Sequence, residues 1–285
     1  MANNTQDLIL GTLAVDAYTL GAHWIYSPED ILKADLDWTG LNKPLAQWHG
    51  DKQKGDFTHY GDQVVCLYEY IKSSKEYDAT TYMSTWKTFM ETYTGYKDGA
   101  TNDTLANLDN NESVPCGSTS HDMSIIGRIA PLLLVSPDEK TFLNNVKLFV
   151  KSTHNNEEVI EAADFFAKVL WSVNSGTSIK DAITSLPQGY SLRLQGYVKA
   201  GLDSTKGTIE AINEFGPACP TNGGVQGTIY LLNNYENDFE NCIIENVKAG
   251  GDSSARGMII GMIMTAALGK GIIPENWITQ MKYKV

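Results

Sequence analysis

The segment from Ala249 to Gly269 constrains this chain more than any other, because a polar, turn-forming start runs straight into an almost wholly apolar helix. Gly250 and Gly251 permit backbone angles and close approaches that a side chain would block. Asp252, Ser253 and Ser254 are residue types that cap a helix by accepting its orphan N–H groups. Beyond the first turn no polar face remains, and a helix apolar all round is buried all round. The run from Met258 to Leu268 is too short to cross a bilayer. Gly257, Gly261, Thr265 and Gly269 recur every four residues, so one stripe is nearly flat and admits a second helix. Asp252 is therefore either a plain cap or a carboxylate facing something, and only a matching feature elsewhere decides between the two.

A partner for that flat stripe lies at the start of the chain. Residues Thr5 to about Ala22 have helical periodicity, and Gly11, Ala14 and Gly21 give them a small-residue face suited to packing against the helix after Asp252. Asp16, inside this apolar run, is either on the solvent side or held by an interior partner. His23-Trp24-Ile25-Tyr26 ends the helix in an aromatic and imidazole cluster, and Ser27-Pro28 begins a short new one. From Asp35 to Tyr60 the chain is irregular and carries Trp38, Trp48, His49, Phe57, His59 and Tyr60, so its rings are candidates to line a pocket for a planar ligand. Gly61-Asp62-Gln63 opens the next apolar helix, which puts Asp62 in the same kind of place as Asp252. Two such ends pointing at one another would make a polar hole in a helical core.

Further along, Asp78–Lys97 is expected as a helix, residues 95–114 as a loop, and Ser124–Val135 as a helix. The latter follows Pro115 to Met123, where Ser118, His121 and Asp122 form a third candidate wall of the site. Thr153-His154-Asn155-Asn156-Glu157 is a helix-start pattern with Thr153 or Asn155 as cap. Helices broken near Pro187 and Gly216, then one from about Gly224 to Asn234 and one over Phe239–Ala249, complete the pattern. Strand-type alternation is scarce, so the reading is all-α. No repeat, linker or low-complexity tract divides residues 1–285, which favours a single domain.

Charge narrows the partners. A net charge of −12 opposes attraction to phosphate backbones or anionic membrane surfaces, leaving a small molecule as the expected partner, with no nucleic acid and no membrane. Cys66, Cys116, Cys219 and Cys242 form no C-x-x-C pair and suggest reduced thiols in a cytoplasm. The opening residues lack the basic start and apolar core of a signal peptide, the same expectation from another side.

Taken in order, these pieces resemble the ADP-ribosylglycohydrolase family over nearly the whole chain, and within it the branch that includes the jellyfish J1 crystallins. The resemblance is carried by Gly11, Asp16 and Gly21 with His23-Trp24; by Gly61-Asp62-Gln63; by Arg128-Ile129-Ala130-Pro131; by Thr153-His154; by Gly250-Gly251-Asp252 with Gly261 and Gly269; and by Ile273-Pro274 with Trp277. It implies a compact many-helix bundle whose enzymes use paired Mg²⁺ ions to remove ADP-ribose. The implied metal ligands come from a Thr-Asp-Asp motif and a Gly-Gly-Asp-Thr-Asp-Thr motif. Asp62, Asp252 and Ser254 stand at such places here, but Gly61, Gln63, Ser254 and Ala255 depart from the pattern. Because Mg²⁺ relies on carboxylates and water, these losses weaken any binuclear site.

Arg256, four residues after Asp252 and on the same helix face, offers a substitute positive charge between Asp62 and Asp252. Asp122 falls by register in the family's phosphate loop, where it would repel a diphosphate. The implied ligand is thus ADP-ribose-like but smaller or uncharged, a ribosyl or sugar compound. As an enzyme, the chain would hydrolyse a glycosidic bond, with Asp62 or Asp252 orienting or deprotonating water. Asp16, His23, Tyr60, Gln63, Ser118, His121, Asp122, His154 and Arg256 would contact substrate. The alternative is a catalytically silent, crystallin-like structural or small-molecule-binding relative.

Overall fold

The computed structural model describes residues 5–285. Its helices are α1 (Thr5–Thr19), α2 (Pro28–Lys33), α3 (His59–Ser74), α4 (Ala79–Thr92), α5 (Gly99–Asp109), α6 (Glu139–Thr153) and α7 (Glu157–Asn174). They continue with α8 (Ile179–Ser185), α9 (Leu192–Asp203), α10 (Thr208–Phe215), α11 (Thr221–Asn234), α12 (Phe239–Lys248), α13 (Ser253–Leu268) and α14 (Glu275–Gln280). Among the described residues β-type pairing is confined to two isolated bridges, Ser118 with His154 and Asp122 with Pro220. The fold is all-α. No helix of the described residues is long and apolar enough to cross a membrane.

Helix α13 is the axis of the molecule. Met258, Ile259, Ile260, Met262, Ile263 and Met264 are each 0% exposed, and burying such a side chain contributes roughly 1.5–3 kcal/mol. Its flat stripe meets α1, as the small residues on both helices require. A Cβ built on Gly11 would lie 2.2 Å from Thr265 Oγ1, and one on Gly261 would lie 2.6 Å from the Gly11 carbonyl. Helices α7, α11 and α12 cover the remaining sides of α13, and α3 packs against α1. This arrangement brings the C-terminal end of α1 and the N-terminal ends of α3 and α13 into one neighbourhood.

Four local expectations are corrected. Helix α3 begins at His59 rather than Gly61, because Thr58 Oγ1 accepts the Tyr60 N–H and starts the helix earlier. Residues 99–109 form α5 instead of a loop, with Asp98 accepting the Thr101 N–H as its cap. Ser124–Val135 is not an α-helix but two 3-10 turns, Ser124–Arg128 and Ala130–Val135. Pro131 explains the interruption, since its ring would collide with the carbonyl four residues back in an α-helix. The helix start near Thr153 is the end of α6, and Asn156 caps α7 through the Glu158 and Val159 N–H groups.

Candidate functional site

The turn before α13 sets the site. Gly250 and Gly251 have φ of +76° and +69°, and built Cβ atoms would lie 2.7 Å from the Ile25 carbonyl and 2.1 Å from the Pro217 carbonyl. Only glycine fits both the angle and the space. The Gly251 N–H donates to Ile25 O at 2.8 Å, Trp24 N–H to Gly251 O at 2.9 Å, and Asp252 N–H to Pro217 O at 2.8 Å. The backbone of Asp252 is thereby pinned between the end of α1 and the loop that leads into α11.

Its side chain is a cap and more than a cap. Oδ1 accepts the Ala255 N–H at 2.9 Å and faces His23 Nε2 at 3.0 Å, while Oδ2 accepts the Tyr60 hydroxyl at 3.0 Å. An ionised carboxylate only accepts, so His23 donates through Nε2. Burial works against this charge, but His23, the Ala255 N–H and the Cys219 thiol outweigh it and hold the carboxyl well below the usual carboxylate range. Behind His23, Nδ1 lies 3.2 Å from His49 Nε2. Burial, then His23 and His59, push the His49 imidazole down to about 3.

Around this line sits a ring of further polar groups. Trp24 stacks on His23 at 4.5 Å, and the Arg128 guanidinium lies 5.0 Å from the Tyr60 ring centre. His59 Nε2 is 3.2 Å from Asp98 Oδ2, out of line for a hydrogen bond. His59 Nδ1, His154 Nε2 and Arg128 Nε, all buried, have no hydrogen-bond partner among the described residues. Burial pushes the Asp98 carboxyl up, but His59, Arg128 and His154 hold it well below the usual range. Burial and Arg128 lower His154 to about 3.

Asp122 and Cys219, both partly exposed, meet the buried Asp252 from the outside, and the three offer ligating atoms within 4.8 Å of one another. Burial, then the negative charges of Asp252 and Asp98, push the Asp122 carboxyl up to about 7. Burial, then Asp252 and Asp122, push the Cys219 thiol up as well. Two neighbouring carboxyls whose affinities for a proton are driven apart form the chemical core of this cluster.

Several expected site residues fall elsewhere. Asp62 does not face Asp252: its Oδ2 accepts the Lys52 ammonium and the Tyr93 hydroxyl. The reason is helical geometry, because residues two apart on α3 point roughly 200° apart, and it is Tyr60 that reaches Asp252. Arg256 does not bridge the two carboxylates. It is buried and donates to Asn246 Oδ1 at 2.9 Å, Pro217 O at 2.9 Å and Gly250 O at 2.7 Å, so it braces the turn from behind. Asp16 is interior, accepting from Thr58 N–H at 2.8 Å, Thr58 Oγ1 at 2.7 Å and Ser254 Oγ. Gly61 is required beside it, since a built Cβ would lie 2.2 Å from Asp16 Oδ2. Gln63 is occupied by Trp86 Nε1 at 2.9 Å and the His59 carbonyl at 3.2 Å. Ser118 donates to Asp103 at 2.7 Å and braces its loop. The His121 side chain is 58% exposed and lies near Glu158 instead of the cluster.

The groups that sequence reasoning did not assign to the site are His49, His59, Asp98, Cys219 and Arg128. His49 and His59 stood in the aromatic loop already noted, and Asp98-Gly99-Ala100-Thr101 has the form of a helix cap. Cys219 gave no such signal.

An all-α core organised on one buried helix, with a Gly-Gly-Asp turn at its head and a histidine from the turn after the first helix on that aspartate, defines a helical hydrolase-like fold. The family model of ADP-ribosylglycohydrolase matches residues 2–285, and the chain belongs to that family. It is similar to Crystallin J1A of Tripedalia cystophora, 23% identical over 296 residues covering 95% of this chain and 90% of the crystallin. Crystallin J1B of the same animal is 22% identical over 293 residues, with the same coverage. Among solved structures, one described as an ADP-ribosylglycohydrolase-related protein complex superposes with a TM-score of 0.72 at 20% identity, covering 97% of this chain and 92% of that one.

Proposed function

We propose that this chain is a glycosidic hydrolase that works without a binuclear Mg²⁺ centre, on a ribosyl or related compound carrying no diphosphate. The observation that carries this reading is the Asp122–Asp252 pair, two carboxyls in adjacent positions with opposite proton affinities. Asp122, protonated over much of the range below about pH 7, donates its proton to the leaving atom as the bond to the anomeric carbon breaks. Asp252, ionised and held by His23 and Tyr60, stabilises the positive charge that develops on the sugar. Water then adds its oxygen to the anomeric carbon, and its released proton restores Asp122.

The residues present do not suit a pair of dications. Mg²⁺ takes six oxygens, several of them water, around free carboxylates. Here Asp62 already neutralises the Lys52 ammonium, Asp16 is committed to Thr58 and Ser254, and both oxygens of Asp252 are committed to protein donors. No step is therefore assigned to metal.

A second reading has its own support. Asp252, His23 and Tyr60 are each 0% exposed, as a silent relative with a plugged centre would have them. One experiment separates the readings: sugar release from a panel of nucleosides and aryl ribosides is followed with EDTA and with Mg²⁺. Turnover that is unaffected by EDTA and lost in Asp122→Asn and Asp252→Asn supports the hydrolase. No release from any compound supports the silent relative, and release that depends on Mg²⁺ sinks the metal-free reading.

A further inference from the structure

Asp252 is held by a line of groups that extends beyond its first partner. His23 Nε2 lies 3.0 Å from Asp252 Oδ1, and His23 Nδ1 in turn lies 3.2 Å from His49 Nε2. All three side chains are buried. Trp24 clamps the two imidazoles together. Its ring stacks on His23 at 4.5 Å and on His49 at 5.6 Å, with interplanar angles of 29° and 19°. In this position Trp24 has φ of +66°, a conformation that is costly for a bulky residue and persists only where the surroundings impose it. The Trp24 N–H is tied to Gly251 O, in the turn that carries Asp252.

Hydrogen positions along this line follow from the carboxylate. An ionised Asp252 only accepts, so His23 Nε2 carries hydrogen whether the ring is neutral or charged. Nδ1 is then the one ring atom at which the two forms differ. Bare, it needs a donor; carrying hydrogen, it needs an acceptor. In a buried place an unmatched atom bears its full desolvation cost. A neutral imidazole at position 49 meets both demands, by carrying its own hydrogen on Nε2 or on Nδ1, whereas an ammonium only donates and a carboxylate only accepts. Burial, then His23 and His59, keep His49 neutral. Resting on the hydrolase reading above, we propose that His49 is a positioning residue: it holds the His23 ring so that Nε2–H stays on Asp252 Oδ1 in either form of His23. Asp252 thereby keeps its place and its charge while positive charge grows on the sugar. His49 acts through His23 and touches no substrate.

The test reads the imidazoles of the full chain directly, by long-range ¹H–¹⁵N correlation spectra assigned with His23→Gln and His49→Gln. Two patterns support the proposal: neutral His23 with hydrogen on Nε2 facing a His49 with hydrogen on Nε2, or doubly protonated His23 facing a His49 with hydrogen on Nδ1. A His23 with Nε2 bare overturns it, as does a His49 that carries a charge. Two variants separate positioning from packing. His49→Phe keeps a ring against Trp24 but offers no polar atom, while the amide of His49→Gln can turn to donate or accept. On any riboside that is turned over, His49→Phe should lower kcat by about tenfold or more with KM little changed, and His49→Gln should recover most of the loss. His49→Phe at least as active as His49→Gln would mean that the ring only fills space. If no riboside is turned over, the hydrolase reading fails by itself, and the spectra still decide whether His49 holds His23 on Asp252: the His23 signals should move in His49→Phe and return in His49→Gln, and unmoved signals in His49→Phe refute the hold.

Discussion

Replacing Gly61 by Ala tests whether the Asp16 carboxylate truly fills the space that a side chain at position 61 would need. On helix propensity alone the change is favourable by about 1 kcal/mol. The structure predicts the reverse. The new Cβ would sit 2.2 Å from Asp16 Oδ2 and 2.8 Å from Phe57 Cβ, both far inside contact distance. Asp16 is not free to swing away, because Thr58 N–H, Thr58 Oγ1 and Ser254 Oγ all bind it in the interior. Giving up one bond to a buried charged group costs about 1.5–3 kcal/mol, and overpacking against Phe57 adds about 1–3 kcal/mol. After the propensity gain, the net loss is about 2–5 kcal/mol. For a domain of this size that lowers the melting temperature by roughly 5–15 °C. Gly196 provides the control. It lies in α9 with open space around a built Cβ, so Gly196→Ala should stabilise by about 0.5–1 kcal/mol. Both variants are followed by urea unfolding and thermal melts. A Gly61→Ala protein as stable as wild type, or more so, would refute the packing argument.

Three further outcomes follow from the buried charges. The folded Asp122 carboxyl, at about 7, binds its proton more tightly than the unfolded one. Its contribution to stability is therefore present at low pH and lost as pH rises from the ordinary carboxylate range through about 7. Asp122→Asn should flatten stability over that window in urea titrations, and wild-type turnover should fall as pH rises past 7. His154 has the opposite sign of linkage, because its folded affinity is lowered to about 3. The neutral form is favoured in the fold, so stability is lost as pH falls below about 6.5, by about 1.4 kcal/mol per pH unit for one site. His154→Gln should remove one proton's worth of that slope between pH 4 and 6. Arg256→Met strips the Gly250 and Pro217 carbonyls and Asn246 of their donor, and should cost about 3 kcal/mol or more. An unchanged denaturation midpoint would show that the turn before Asp252 does not depend on it.

What the amino-acid order determined by itself was local and periodic. The apolar all-round run of α13, the small-residue faces of α1 and α13, and the Gly-Gly-Asp turn are one-dimensional signals, and they specify a helical core with a polar head. The Asp16 alternatives, solvent or interior, were already framed by its place in an apolar helix. Tertiary structure alone decided which side chains meet across the chain. Tyr60 and Asp62 look equivalent as neighbours in sequence, yet a 200° rotation on α3 sends one to Asp252 and the other to Lys52. Likewise Arg256 is on the right helix for a bridge, but its guanidinium is taken up by Asn246 Oδ1 and by the carbonyls of Gly250 and Pro217. Asp122 and Cys219 join Asp252 only because the loops after α5 and α10 converge on the head of α13. Proton affinity follows from that convergence: burial and neighbouring charge are properties of three-dimensional surroundings, and no residue carries them along the chain.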